Sequence, residues 1–114
     1  MRITIALALA LMFADCLSAT ETIVTKGLGA ASCAQFSQLY SMNPQATEST
    51  YLNWAHGFMS GLNTAQWPNG PYRDLSAKTD EQQNTEIRLY CSAHPLANYM
   101  EAVMQSFRSL PLKP

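Results

Sequence analysis

The sequence predicts an all-α fold: a small four-helix domain, tied by one inter-helix disulfide, that follows a cleaved signal peptide. Three observations predict it. An uninterrupted apolar run, Ile3 to Ala14, sits behind the single early positive charge Arg2, and its length suits a signal-peptide core better than a membrane span. Beyond it, apolar residues recur with helical period in successive segments separated by turn-forming residues. Finally, two cysteines, Cys33 and Cys91, remain once the leader is removed, and an exported chain meets an oxidising compartment in which such a pair closes a disulfide.

The leader is assigned to residues 1–19 and the helical domain to 20–114. Cleavage after Ala19, with Leu17 and Ala19 flanking the site, is preferred over cleavage after Cys16. A lipidated Cys16 would need smaller neighbours than Phe13-Ala14-Asp15 supply. The mature chain keeps six basic and seven acidic residues, because Arg2 and Asp15 leave together. No second apolar stretch approaches a membrane span, which places the protein in the periplasm or outside the cell.

Thr22 to Lys26 is weakly β-prone but has no partner strand in the sequence, so it is read as an extended arm. A first helix over 31–41 offers Cys33, Phe36, Leu39 and Tyr40 to the core. The second helix, over 48–65, carries the clearest stripe: Tyr51, Leu52, Ala55, Phe58, Met59 and Leu62. Glu48, Ser49 and Thr50 supply its cap and first-turn acidity, with Asn43-Pro44 marking the loop before it. Within this helix Gly57 and Gly61 lie beside Trp54, off the main stripe, at a cost of about 1 kcal/mol each relative to alanine. That predicts close approach of another backbone or a bulky ring, from within the protein or from a partner.

Trp67-Pro68-Asn69-Gly70-Pro71-Tyr72 reads as an ordered loop with a Pro-Asn-Gly turn. Its aromatics serve either as a lid over the helix edges or as a recognition surface. The third helix, over 80–93, begins at the capping box Thr79-Asp80-Glu81-Gln82. Its inward face is short, with Ile87, Tyr90, Cys91 and His94, and the disulfide to Cys33 compensates for it. The fourth helix starts at Pro95, a good first helical position, and shows Leu96, Tyr99, Met100, Val103, Met104 and Phe107 on one face.

Seven Lys+Arg against eight Asp+Glu give a net charge of −1 with no basic cluster, which removes the electrostatic footprint of nucleic-acid binding. Cys33, His56, Cys91 and His94 contain one plausible zinc half-spacing, but the disulfide consumes both thiolates, so no metal and no cofactor is expected. The carboxylates are scattered, Ser60 lacks the strand-to-helix setting of a nucleophile elbow, and no phosphate-cradling loop is present. No catalytic residue is assigned, and a small enzyme is the least supported class.

The series Cys33-x-x-Phe36, Trp54-x-x-Gly57-Phe58 and Cys91-x-x-x-Pro95 with Tyr99 resembles the small exported helical proteins of the HdeA acid-stress chaperone type, over most of the mature chain. The resemblance implies a disulfide between the first and third helices, and a dimer at neutral pH that opens in acid to bind unfolding clients. The periplasmic immunity proteins that block type VI amidase effectors are similar in architecture. Well below pH 3 the six Lys/Arg, two His and the amino terminus would give about +9, which favours opening by self-repulsion. The two classes share a non-catalytic protein binder, with Trp54, Gly57, Gly61, Trp67 and Tyr72 as candidate partner-binding residues. Its partner is either a set of unfolded clients or one folded effector.

Overall fold

The computed structural model describes residues 24–113. The expected leader over 1–19, with Cys16 in it, and the first part of the expected arm lie outside the described residues. From Val24 the chain runs without regular structure into a 3-10 turn, Gly27–Ala30. Four helices follow: α1 (Cys33–Met42), α2 (Pro44–Gln66), α3 (Asp80–Ala93) and α4 (Tyr99–Arg108). A second 3-10 turn, Leu75–Ala77, and two short strands, β1 (Tyr72–Arg73) and β2 (Leu112–Lys113), complete the described chain. The fold is thus mostly helical, with one antiparallel strand pair in which Tyr72 faces Lys113 and Arg73 faces Leu112.

Each helix begins where a side-chain oxygen satisfies an amide that the helix itself leaves unpaired. Ser32 accepts from the Gln35 amide at 3.0 Å to start α1. Thr79 and Gln82 form the expected reciprocal box at α3, and Asn98 and Glu101 form a second one at α4.

Two boundaries differ from expectation. Asn43-Pro44 is not a loop before the second helix: Asn43 is its N-cap, accepting from the Ala46 amide at 3.3 Å, and Pro44 is the first helical residue. α2 therefore starts four residues before Glu48, in keeping with proline's preset φ and its missing amide at that position. Pro95 does not begin α4, and Leu96 is 99% exposed rather than buried. The segment before Tyr99 stays out of the helix because its carbonyls are used elsewhere: the Cys33 amide donates to Ala97 O at 2.8 Å and the Ala34 amide to Pro95 O at 3.0 Å. The Tyr99 amide returns a bond to Ala31 O at 2.8 Å.

That exchange lies beside the covalent join. Cys33, the first residue of α1, is bonded to Cys91 near the end of α3, with Cα atoms 4.6 Å apart and both side chains buried. Around it Phe36, Tyr51 and Tyr99 meet in a three-ring cluster, with centroid separations of 5.0, 5.0 and 4.7 Å. Such pairs add about 0.5–1.5 kcal/mol each beyond the area they bury. Leu52, Ala55, Met59, Ile87, Val103 and Leu110 fill the rest of the core. α3 also buries two polar residues, Gln83 and Asn84. The Gln83 side chain is held at both ends, by His56 Nε2 at 3.0 Å and by Leu75 O at 3.4 Å.

Because the disulfide closes a loop spanning 58 residues, its removal releases denatured-state entropy amounting to about 4 kcal/mol. Cys33→Ser with Cys91→Ser is expected to lower the unfolding free energy by about that amount in urea titration. Retention of wild-type stability would show that the join is dispensable.

Candidate functional site

The candidate site follows from a mismatch of helix lengths. α2 has 23 residues and spans roughly 34 Å, whereas α1 and α4, with 10 residues each, span roughly 15 Å. Its neighbours cover only its first part. Thr47, Tyr51, Leu52, Ala55 and Met59 are buried, and no α2 residue after Met59 is. Phe58 and Leu62, expected in the core, are half-buried and look onto the face shared with α4.

On this face Trp54 stacks on Phe58 with centroids 5.1 Å apart. Its other side is covered by the Gly27–Ala30 turn. A Cβ at Gly29 would lie 2.2 Å from the Trp54 ring, and Gly27 adopts φ +75° beside the indole nitrogen. The bare backbone that approaches a ring is therefore Gly27 and Gly29, not Gly57 and Gly61. The two α2 glycines face open space, with nothing within 4 Å of a Cβ built on either. The expectation that they receive a neighbouring segment of the protein is not met, since neither α1 nor the aromatic loop reaches them.

Trp54, Phe58 and Leu62 from α2 and Met100 and Met104 from α4 line a groove of about 720 Å³. The arm borders it, fastened where Thr25 Oγ1 meets Met100 Sδ at 3.0 Å. Leu62 and Met104 also line a second, smaller hollow with Tyr72, Phe107 and Leu112. Through Leu62 and Met104 the two hollows join into one strip along α2 and α4, apolar along its floor.

The Trp67 to Tyr72 loop divides its aromatics. Trp67 is 69% exposed, so it is no lid. Tyr72 turns back into β1 and is half-buried. The loop is held by Asn63, whose side chain imitates a strand partner: its Oδ1 accepts from the Arg73 amide at 2.9 Å and its Nδ2 donates to Arg73 O at 2.8 Å. Arg73 Nη1 donates to Leu110 O at 2.8 Å. Asp74 adds a charge anchor, accepting from Ser76 Oγ at 2.6 Å and the Ser76 amide at 3.0 Å, with Lys113 Nζ at 3.4 Å. The Ser76 hydroxyl, then its amide and the Lys113 charge, outweigh partial desolvation and hold the Asp74 carboxyl below the usual carboxylate range. A second anchor joins the loop to α3 and the end of α4, where Glu86 takes Lys78 Nζ at 2.5 Å and Ser106 Oγ at 2.9 Å.

Of the residues singled out in the sequence, Trp54 lines the groove, Gly57 and Gly61 lie exposed on the same helix, and Tyr72 lines the adjoining hollow. Trp67 projects just beyond the end of α2. Cys33 and Cys91 sit in the core, away from this face. Sequence reasoning missed Asn63, whose mid-helix position and amide were its one visible signal, and Gly29, whose pairing with Trp54 is long-range. His94 is exposed rather than on the inward face of α3, and its Nδ1 lies 2.9 Å from Tyr90 O at the end of that helix. His56 meets Gln83 at 3.0 Å and Asp80 at 3.6 Å. Among the described residues, no three His, Cys, Asp or Glu side chains gather in a metal-binding group.

The contrast between the glycines is testable. Gly29→Ala is expected to destabilise by about 1–3 kcal/mol, because Trp54 must leave its place, while Gly57→Ala and Gly61→Ala should each stabilise by about 0.5–1 kcal/mol. Urea midpoints distinguish the signs. Destabilisation by both α2 substitutions would mean that some contact covers them.

Comparison of the chain with protein-family models, with curated proteins and with solved structures gave no match.

Proposed function

We propose that this chain is a non-catalytic protein-binding protein that works beyond the cytoplasmic membrane, in the periplasm or outside the cell. The observation that carries the reading is the distal part of the strip. Leu62, Tyr72, Phe107 and Leu112 form the apolar part of a hollow that Asn63, Gln66 and Arg73 also line, Trp67 stands exposed at the end of α2, and Gly57 and Gly61 leave backbone of the same helix bare. Tryptophan and tyrosine are the residues that most often anchor protein interfaces. Fixed by Asn63 and the two charge anchors, the patch is preformed, which favours one folded partner, as for an inhibitor or immunity protein. The disulfide fits an oxidising compartment, and among the described residues no helix is long and apolar enough to cross a membrane.

The second reading, an acid-stress chaperone of the HdeA type, draws support from the anchors themselves. Carboxylates Asp74 and Glu86 hold the 72–78 segment to the C-terminal strand and to α3 and α4, and acid neutralises Asp74. The folded-state value of Asp74 is depressed below its unfolded one. Its stabilisation is therefore complete above about pH 4 and is lost as pH falls through the folded value. Asp74→Asn is expected to flatten the pH dependence of stability below pH 4 and to leave its shape above pH 5 unchanged, as read by urea midpoints at each pH. An unchanged acid limb in the variant would remove this anchor from the account.

Affinity capture from periplasmic extract at neutral pH, with Trp67→Ala and Tyr72→Ala as controls, tests the first reading. A single stoichiometric partner should be retained, with each substitution costing it on the order of 30-fold in affinity if the residue is a hot spot. Suppression of client aggregation at pH 2.5 but not at pH 7, undiminished by either substitution, would instead establish the chaperone.

A further inference from the structure

The groove nearer the arm is lined by two cations, whereas the distal hollow is lined by one, Arg73, whose guanidinium is already engaged with Leu110 O. Lys26 and Arg108 both line the groove, and neither forms an ion pair among the described residues. The one acidic residue lining it, Glu101, has its carboxylate engaged, accepting from the Asn98 amide at 2.7 Å in the α4 capping box. The groove therefore combines two cations that form no ion pair among the described residues, one carboxylate held in a helix cap, and an apolar floor of Trp54, Phe58, Leu62, Met100 and Met104.

We infer that the groove between α2 and α4 is a binding site for a single-chain anionic amphiphile, with its alkyl chain on the apolar floor and its anionic head against Lys26 and Arg108. Its volume of about 720 Å³ lies in the range of small-molecule sites, which are mostly apolar with a few polar groups that fix orientation. Methionine side chains have three rotatable bonds and a polarisable sulfur, so Met100 and Met104 adapt to an unbranched chain. A carboxylate or phosphate head supplies the charge-assisted bonds that the two cations lack. This inference does not rest on a protein partner, and its test needs none.

Two tryptophans are present in the chain, Trp54 and Trp67, so Trp67→Phe leaves Trp54 as the sole reporter in the groove. Titration of this variant, oxidised and in the form cells accumulate, with dodecanoate below its micellar concentration should give a saturable one-to-one change in Trp54 fluorescence. Dodecyltrimethylammonium should bind at least about tenfold more weakly. Lys26→Gln combined with Arg108→Gln should weaken dodecanoate by about tenfold and abolish the preference for the anion, in line with the strength of hydrogen bonds to charged groups. Met104→Glu, with near-UV circular dichroism confirming its fold, should abolish the response. The inference is overturned by absence of a saturable signal or by equal affinity for the two amphiphiles. A homodimer that Met104→Glu dissociates, in protein unresponsive to dodecanoate, would overturn it too by assigning the face to a second copy.

Discussion

The join between the start of α1 and the end of α3 is the constraint on which the remaining packing depends. Cys33 and Cys91 supply its covalent part, and the exchange of amides and carbonyls between residues 31–34 and 95–99 supplies its backbone part. Together they give partners to the first amides of α1, which no residue within the helix can reach. They also set where α4 begins, since the carbonyls of Pro95 and Ala97 are engaged before a helix could use them. Tyr99 then enters the core directly beneath Phe36 and Tyr51. The aromatic cluster is thus placed by the join, and it allows α3, whose buried apolar residues are only Ile87 and Cys91, to belong to the core.

A second latch governs the open face. Trp54 is held between the Gly27–Ala30 turn and Phe58, with Tyr99 edge-on at 6.1 Å. Only backbone without a side chain can lie so close to the indole, so Gly29 fixes the course of the arm, and the arm in turn forms one wall of the groove. Beyond Met59 this support ends. What covers the distal half of α2 is irregular chain, held by the paired bonds of Asn63 to Arg73 and by the carboxylates of Asp74 and Glu86. Its apolar side chains accordingly remain half-buried.

The helices were legible in the sequence because their signals are local. The Thr79 box marked α3, and the apolar period over Tyr51 to Met59 marked the body of α2. The disulfide followed from the cysteine count and the leader. Most of what was misread came from contacts distant in sequence. Pro95 has good helix-start chemistry, yet its carbonyl is taken by a residue of α1; the stronger local signal, the box formed by Asn98 and Glu101, lay three residues on. Asn43-Pro44 carried a cap and a first-turn proline that read equally well as a loop. At the candidate site Trp54, Trp67 and Tyr72 were visible as aromatics outside the main stripe, but which of them stays exposed depends on Gly29 and Asn63, whose partners no sequence period reveals.

Gly57 and Gly61 sharpen the physical argument about the open face. Each weakens the interior of α2 by about 1 kcal/mol relative to alanine, and no contact among the described residues makes use of the missing side chains. Gly29 shows the alternative within the same molecule, where the absence of a Cβ is matched by a ring in van der Waals contact. The α2 glycines leave the backbone on either side of Phe58 accessible from outside, on the helix that carries a strip of half-buried apolar groups whose burial the fold itself leaves incomplete. About 25 cal/mol is gained for each Å² of such surface withdrawn from water, and the fixed ends of the helix, capped at Asn43 and clamped at Asn63, mean that little ordering entropy opposes that gain. A face that is apolar, bare and already rigid binds with less reorganisation than a mobile one, and this is the sense in which the core, through its short α1 and α4, prepares the surface.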